Sequence, residues 1–301
     1  MTQDIGTQYQ KDNTIDKTGF KTKARLHQSK YRANVLQVDF KDYGNRLTVE
    51  DGLAGKNFYN GFNVLEAVNK RYPGYNKGLY SDMLRSEHIP FNIFVPLDKD
   101  KKYCAKIFNK FLGGIIKTVD DIKIEYAPTI TTEKKHLADR TSFDAYIEYT
   151  SNDGAKGIIG IEVKYTEHEY ALKPNSKEES DIKNPNSLYN SVTDKSKLYI
   201  DGALEQLKTD LFRQIWRNHI LGESILQHDN TFKHFTSLTL FPLGNTHFID
   251  TSKKYIELLK SNNNKFIPVT YEDFISVAKE NCPNEEFKSW LEYLIARYIV
   301  K

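Results

Sequence analysis

Asp144 and the string Glu162-Val163-Lys164 are the residues of this chain whose types and spacing could do chemistry. They fall in two short apolar runs, Phe143-Asp144-Ala145-Tyr146-Ile147 and Ile159-Gly160-Ile161-Glu162-Val163-Lys164-Tyr165. In a strand, successive side chains alternate between faces, so Glu162 and Lys164 point the same way while Ile159, Ile161 and Val163 take the core side. If pairing sets Asp144 alongside, an acid, an acid and a lysine converge. Two carboxylates at close range repel, and unless one is protonated they call for a cation; Mg²⁺, which prefers oxygen ligands, is suited, with Mn²⁺ as a substitute. A metal held by Asp144 and Glu162 can clamp phosphate oxygens, with Lys164 orienting the attacking water and stabilising the charge that develops. The same residues also fit plainer readings. Glu162 and Lys164 would make an ordinary ion pair on an exposed strand of a silent binding or interaction module, and paired carboxylates serve glycosidases, where the lysine has no part.

The elements needed to position these residues are predicted in order. Thr22–Val38 has helix-compatible spacing and carries a basic cluster (Lys17, Lys21, Lys23, Arg25, Lys30, Arg32) suited to phosphates or to a solvated face. A short helix is expected over Asn63–Arg71, ended by Pro73-Gly74. Helix-like residues run from Ser81 to Phe94, with Pro90 a candidate break, and a helix is expected over Lys99–Leu112, closed by Gly113-Gly114. Strands follow at 122–127, 142–149 and 158–165, the last two joined by the turn Ser151-Asn152-Asp153-Gly154. The polar stretch 173–197 reads as a functional loop. Beyond it, a helix over Asp201–Leu221 would stack Leu204, Leu207, Leu211 and Ile215 on one stripe and Gln206, Asp210, Arg213 and Arg217 on another. A strand at 235–241, a helix, a strand at 266–270 and a helix from Glu285 complete the series.

Composition narrows the class. Hydrophobic residues make up 39% of the 301, and aromatics 13%, which suits a globular protein with a large core. The expected division is an N-terminal extension (1–78), partly helical and basic, and a main domain (79–301). No apolar run reaches the length of a membrane span, and the start lacks the parts of a signal peptide, so a cytoplasmic location is expected. Cys104 and Cys282 supply neither a disulfide framework nor a zinc motif, and His168, His219, His234 and His247 lack a ligand pattern. A net charge of +3 permits a nucleic-acid partner without announcing one. Gly52-Leu53-Ala54-Gly55-Lys56-Asn57 fails as a phosphate loop, because it lacks the first glycine and has Asn57 where a magnesium-binding hydroxyl belongs.

Helix, three strands, helix, strand is also the order of the PD-(D/E)xK, or restriction endonuclease-like, superfamily, which residues 80–245 resemble. Ser142-Phe143-Asp144 occupies the place of the family's Pro-Asp element, without its proline, and Glu162-Val163-Lys164 that of the Glu-x-Lys element. Ile161-Glu162-Val163-Lys164-Tyr165-Thr166-Glu167, with Ser86-Glu87-His88 and Arg217-Asn218-His219, is more closely similar to bacterial restriction endonucleases. The resemblance implies an α/β fold and a Mg²⁺-dependent endonuclease acting on DNA in restriction or defence, leaving 5′-phosphate ends. It makes Asp144, Glu162 and Lys164 the central residues, Glu87 an accessory acid, Glu167 a support, and Gln206, Arg213 and Arg217 second-helix residues near the scissile phosphate. Cutting both strands would call for a homodimer.

Overall fold

The computed structural model describes residues 4–9, 16, 18–128, 135–169, 171–260 and 265–301. A five-stranded sheet runs β1 (Ile116–Tyr126), β2 (Phe143–Ser151), β3 (Lys156–Val163), β4 (Phe232–Phe241), β5 (Phe266–Thr270), with neighbours in sequence also neighbours in space. The first three strands form an antiparallel meander, while β3–β4 and β4–β5 are parallel. Parallel neighbours require crossovers. That between β3 and β4 carries α7 (Lys177–Lys183), α8 (Leu188–Ser196), α9 (Leu204–Leu207) and α10 (Arg213–His228), and that between β4 and β5 carries α11 (Thr246–Glu257). Ahead of the sheet come α1 (Phe20–Tyr31), prolonged by a π-helical turn at Arg32–Leu36, then α2 (Val49–Leu53), α3 (Val64–Arg71), α4 (Lys77–Tyr80), α5 (Ile89–Lys99) and α6 (Lys101–Phe111); α12 (Tyr271–Glu280) and α13 (Glu285–Tyr298) follow it.

Both faces of the sheet are covered. Ala145, Ile147, Ile159, Ile161, Val163 and Leu240 pack beneath Phe94 of α5, Phe108 of α6, Phe274 of α12 and Trp290 of α13. On the other side Tyr146, Ile158, Phe235 and Phe241 meet Tyr189 of α8, Trp216 and Ile220 of α10 and Tyr255 of α11. The strand meander, the helix before it and the fourth strand therefore stand in the expected order, and β5 has the expected limits.

Three expectations change. Glu162 and Lys164 do not lie on an open polar face: β3 is the central strand, α10 packs on that side, and the two residues are only 6% and 3% exposed. Next, the helix expected over 201–221 is two. After α9 the Thr209 hydroxyl bonds back to the Gln206 carbonyl (2.7 Å), competing with the helical ladder, and α10 starts afresh and runs to His228. Leu204, Leu207, Leu211 and Ile215 are therefore spread over two helices and the segment between them, yet all four still pack against one core. Finally, the polar stretch 173–197 holds α7 and α8 rather than a loop. Ser176 and Ser187 cap them by accepting from the amides of Glu179 and Asn190, Glu179 reaches back to the Asn175 amide (2.7 Å), and Ile182, Tyr189 and Val192 are buried beneath the polar surface.

The N-terminal segment is tied to the rest. Phe20 and Ala24 join the core beneath the sheet, and Gln28 donates to the Tyr165 hydroxyl and the Arg297 carbonyl (2.6 Å each), so contacts cross residue 78. The basic cluster divides. Arg25 is buried against Asn45 (2.8 Å) and Arg32 against the carbonyls of Asp4, Val38 and Gly44, so both are structural, whereas Lys23 and Lys30 are exposed. Lys17 lies outside the described residues.

Candidate active site

Strand register builds the site. Ala145 pairs with Ile161, which sets Asp144 opposite Glu162, and Ile124 pairs with Ala145, which sets Glu125 of β1 opposite Asp144. Three carboxylate-bearing residues thus form one row across β1, β2 and β3. The β2–β3 ladder ends at Ala145 and Ile161, and beyond it the Asp144 carboxylate accepts from the Val163 amide (2.7 Å), taking the role of a ladder carbonyl. That bond fixes its rotamer beside Glu162.

Glu162 is held by three donors. Lys164 Nζ stands 2.5 Å from its Oε1, Gln214 Nε2 donates to the same oxygen (2.9 Å), and Asn218 Nδ2 donates to Oε2. Gln214 and Asn218 are four residues apart on α10 and so share one helical face. The Lys164 main chain is fixed too: its amide donates to the Leu240 carbonyl (2.8 Å), and its carbonyl accepts from the Tyr271 hydroxyl (2.6 Å). Just past β3, Glu167 clamps the exit by accepting from the amides of Tyr165 (2.8 Å) and Ser86 (2.9 Å), and Asn245 caps the carbonyls of Tyr165 and Glu167 (3.0 Å each).

The electrostatics follow from crowding. Asp144 keeps some exposed surface, yet its carboxyl is surrounded by protein. Burial, and after it the charge of Glu162, pushes its pKa well above the usual carboxylate range; Glu125 adds to this, while Lys164 and the Val163 amide oppose it. Glu125 is raised for the same leading reasons, burial and then Glu162. Asp144 and Glu125 therefore keep their protons to higher pH than free carboxyls do, and only when fully ionised would the row hold more negative charge than Lys164 neutralises.

The other residues singled out in the sequence are placed differently. Glu87 pairs with Arg85 at the surface (2.7 Å), and Gln206 is exposed on α9, so neither reaches the row; Gln214 and Asn218 are the amides that do. Arg217 donates to Glu178 (2.7 Å), Asp139 (3.1 Å) and Thr141 (2.6 Å), and Arg213 pairs with Asp210 (2.5 Å) and Glu178 (3.3 Å), so both tie α10 to α7, and Arg217 also to the segment entering β2. His219 is buried on α10 against the Tyr255 hydroxyl (3.1 Å), with its pKa pushed down to about 3 by burial, so it is a neutral core residue. Sequence reasoning missed Glu125 and Gln214, and gave no role to Asn218 although it stood in the string Arg217-Asn218-His219. The helical spacing of the two amides was a usable signal, while Glu125 needed the strand register.

Among the described residues no group of three or more His, Cys, Asp or Glu side chains is arranged as a ready metal cage, and no helix is long and apolar enough to cross a membrane. A cavity of about 620 Å³ lies between α3, α5 and β1, lined in part by Lys70, Arg71 and Ile124 and by none of the three carboxylates.

A mixed sheet with helices on both faces, an acid on its second strand, an acid near the end of its third and a lysine directly after it together fit the restriction endonuclease-like α/β fold. The chain matches the PD-(D/E)XK nuclease superfamily over residues 10–300 and belongs to it. No curated protein and no solved structure matches the chain. Nucleases of this superfamily act on nucleic acid and generally use divalent metal ions.

Proposed function

We propose that this chain is a Mg²⁺-dependent endonuclease that hydrolyses phosphodiester bonds in DNA, in restriction or defence. The observation that carries the reading is the facing pair Asp144 and Glu162, with Lys164 Nζ 2.5 Å from the second carboxylate. The donor chemistry fits a hard divalent cation: two carboxylates face each other in a desolvated row, where burial, and after it the charge of Glu162, already raises Asp144. Asp144 and Glu162 would hold the ion, which when bound supplies a Lewis acid for a phosphate oxygen and makes its water more acidic.

The chain's own residues do the rest. The Val163 amide keeps the Asp144 carboxylate from turning away, and Gln214 and Asn218 keep that of Glu162 directed at the row. The Lys164 ammonium, anchored through its main chain at both ends, donates hydrogen bonds towards the attacking water and the phosphate oxygens that gain charge. Preorganisation of this kind works because nothing has to be reoriented as the charge develops.

The test is plasmid cleavage with Mg²⁺, with EDTA, and by the Lys164→Ala variant. Cleavage is expected with Mg²⁺ alone and lost in the other two. Undiminished cutting by Lys164→Ala would sink the assignment of the lysine, and cutting in EDTA would sink that of the metal.

A further inference from the structure

We propose that the cavity between α3, α5 and β1 is a nucleotide subsite, which takes one unpaired nucleotide of the DNA with its base on the apolar floor and its phosphate at Lys70, Arg71 and Lys99. The inference rests on the reading of the Asp144 and Glu162 row as the place where DNA is cut, and adds a feature of the substrate that the row does not specify.

The lining comes first. At about 620 Å³ the cavity falls within the range of small-molecule sites, about 300–1,000 Å³. β1 is an edge strand, so Ile122 and Ile124 stay half-buried, and with Phe62, also half-buried, they leave an open apolar floor backed by the buried Phe91 and Phe94. The rim is charged. Lys70, Arg71 and Lys99 are exposed, and among the described residues none of them forms an ion pair, whereas Asp98 is engaged by Lys101 (3.6 Å) and Lys123 by Glu148 (2.7 Å). Glu66 is the remaining acid of the lining, so the rim carries an excess of positive charge. An apolar floor under a cationic rim matches the two parts of a nucleotide: bases of any sequence stack on aromatic side chains, and phosphates are drawn to Lys and Arg. Continuity comes second. Arg71 donates to the Glu125 carbonyl (3.2 Å) and its charge opposes the raised pKa of the Glu125 carboxyl, while the Tyr72 hydroxyl donates to that carboxylate. Glu125 is the β1 end of the row, so the rim adjoins the row itself. A paired base is held within the duplex stack and cannot enter a cavity walled by two helices; a base that has left the stack can, and unstacking costs least where the base is already unpaired.

The experiment measures binding of the full chain, in EDTA, to a short labelled duplex that is fully paired and to the same duplex with one unpaired nucleotide, alongside plasmid cleavage in Mg²⁺. The wild type is expected to bind the second duplex on the order of tenfold more tightly, the scale of one base stacked on an aromatic side chain. The double variant Lys70→Gln/Lys99→Gln, whose side chains are exposed and form no ion pair among the described residues, is expected to keep the wild-type melting temperature and lose that preference. Ile122→Glu, which puts a charge on the floor, is expected to lose it as well. Equal affinity of the wild type for the two duplexes, or an undiminished preference in the folded double variant, would overturn the subsite, and with plasmid still cut in Mg²⁺ would leave the function proposed above standing. Absence of both DNA binding and cleavage in the wild type would overturn both.

Discussion

Replacing Asp144 by Asn keeps the shape of the side chain and its bond from the Val163 amide, because the amide oxygen can still accept, while removing one of the facing charges. Side chains that face each other on neighbouring strands stand about 5 Å apart, and two carboxylates at that range, once both are ionised, repel by about 3 kcal/mol at an effective dielectric of about 20. Lys164 offsets part of this, so a net gain of about 2 kcal/mol is reasonable for the metal-free variant, or a melting temperature about 4 °C higher in a chain of this size. Mg²⁺ inverts the order. At about a hundred times its dissociation constant it would stabilise the wild type by about 2.7 kcal/mol, whereas Asp144→Asn, lacking half of the facing pair, would gain little. Thermal melts of both proteins at about pH 8, in EDTA and in Mg²⁺, read the two effects separately. A variant less stable than wild type in EDTA would refute the claim that the row stores repulsion. An equal Mg²⁺ shift in both proteins would refute the claim that Asp144 holds the ion.

The raised carboxyls of Asp144 and Glu125 set a pH dependence: between the unfolded and folded pKa the native chain holds the extra protons, so metal-free stability should fall as pH climbs through that interval. Melting in EDTA across that range checks it, and Asp144→Asn should flatten the slope. Metal must compete with the same protons, so nuclease activity should decline as pH drops into that interval, and more Mg²⁺ should restore it. Asn218→Ala removes a donor to Glu162 and leaves the carboxylate freer to turn; cleavage rate is expected to fall by on the order of tenfold while the melting temperature changes little, and a normal rate would show that Asn218 positions nothing. Glu167→Ala leaves the amides of Tyr165 and Ser86 without their shared acceptor, which should destabilise the chain by about 2 kcal/mol in urea unfolding; an unchanged midpoint would mean that water replaces the clamp.

What could be read in advance divides by range. Alternation within β2 and β3 is local, so the shared side of Glu162 and Lys164 and the core side of Ile159, Ile161 and Val163 were visible in the sequence, as were the short strand Phe266–Thr270 and the helix from Glu285. Burial was not, because it depends on what lies above a strand. Alternation alone describes a half-exposed hairpin equally well, and only the two parallel neighbours and α10 make β3 central. The helices within 173–197 were hidden for a related reason: apolar positions are sparse there, and the serine caps that mark their starts are a weaker signal than the polar composition around them. Glu125 lay beyond any local signal, since its place opposite Asp144 depends on the register of two strands separated by residues 127–142, and on a single backbone torsion that breaks the ladder. Site residues that neighbour one another along the chain can therefore be found by spacing. Those that neighbour one another only across the sheet, as Glu125 neighbours Asp144, need the register.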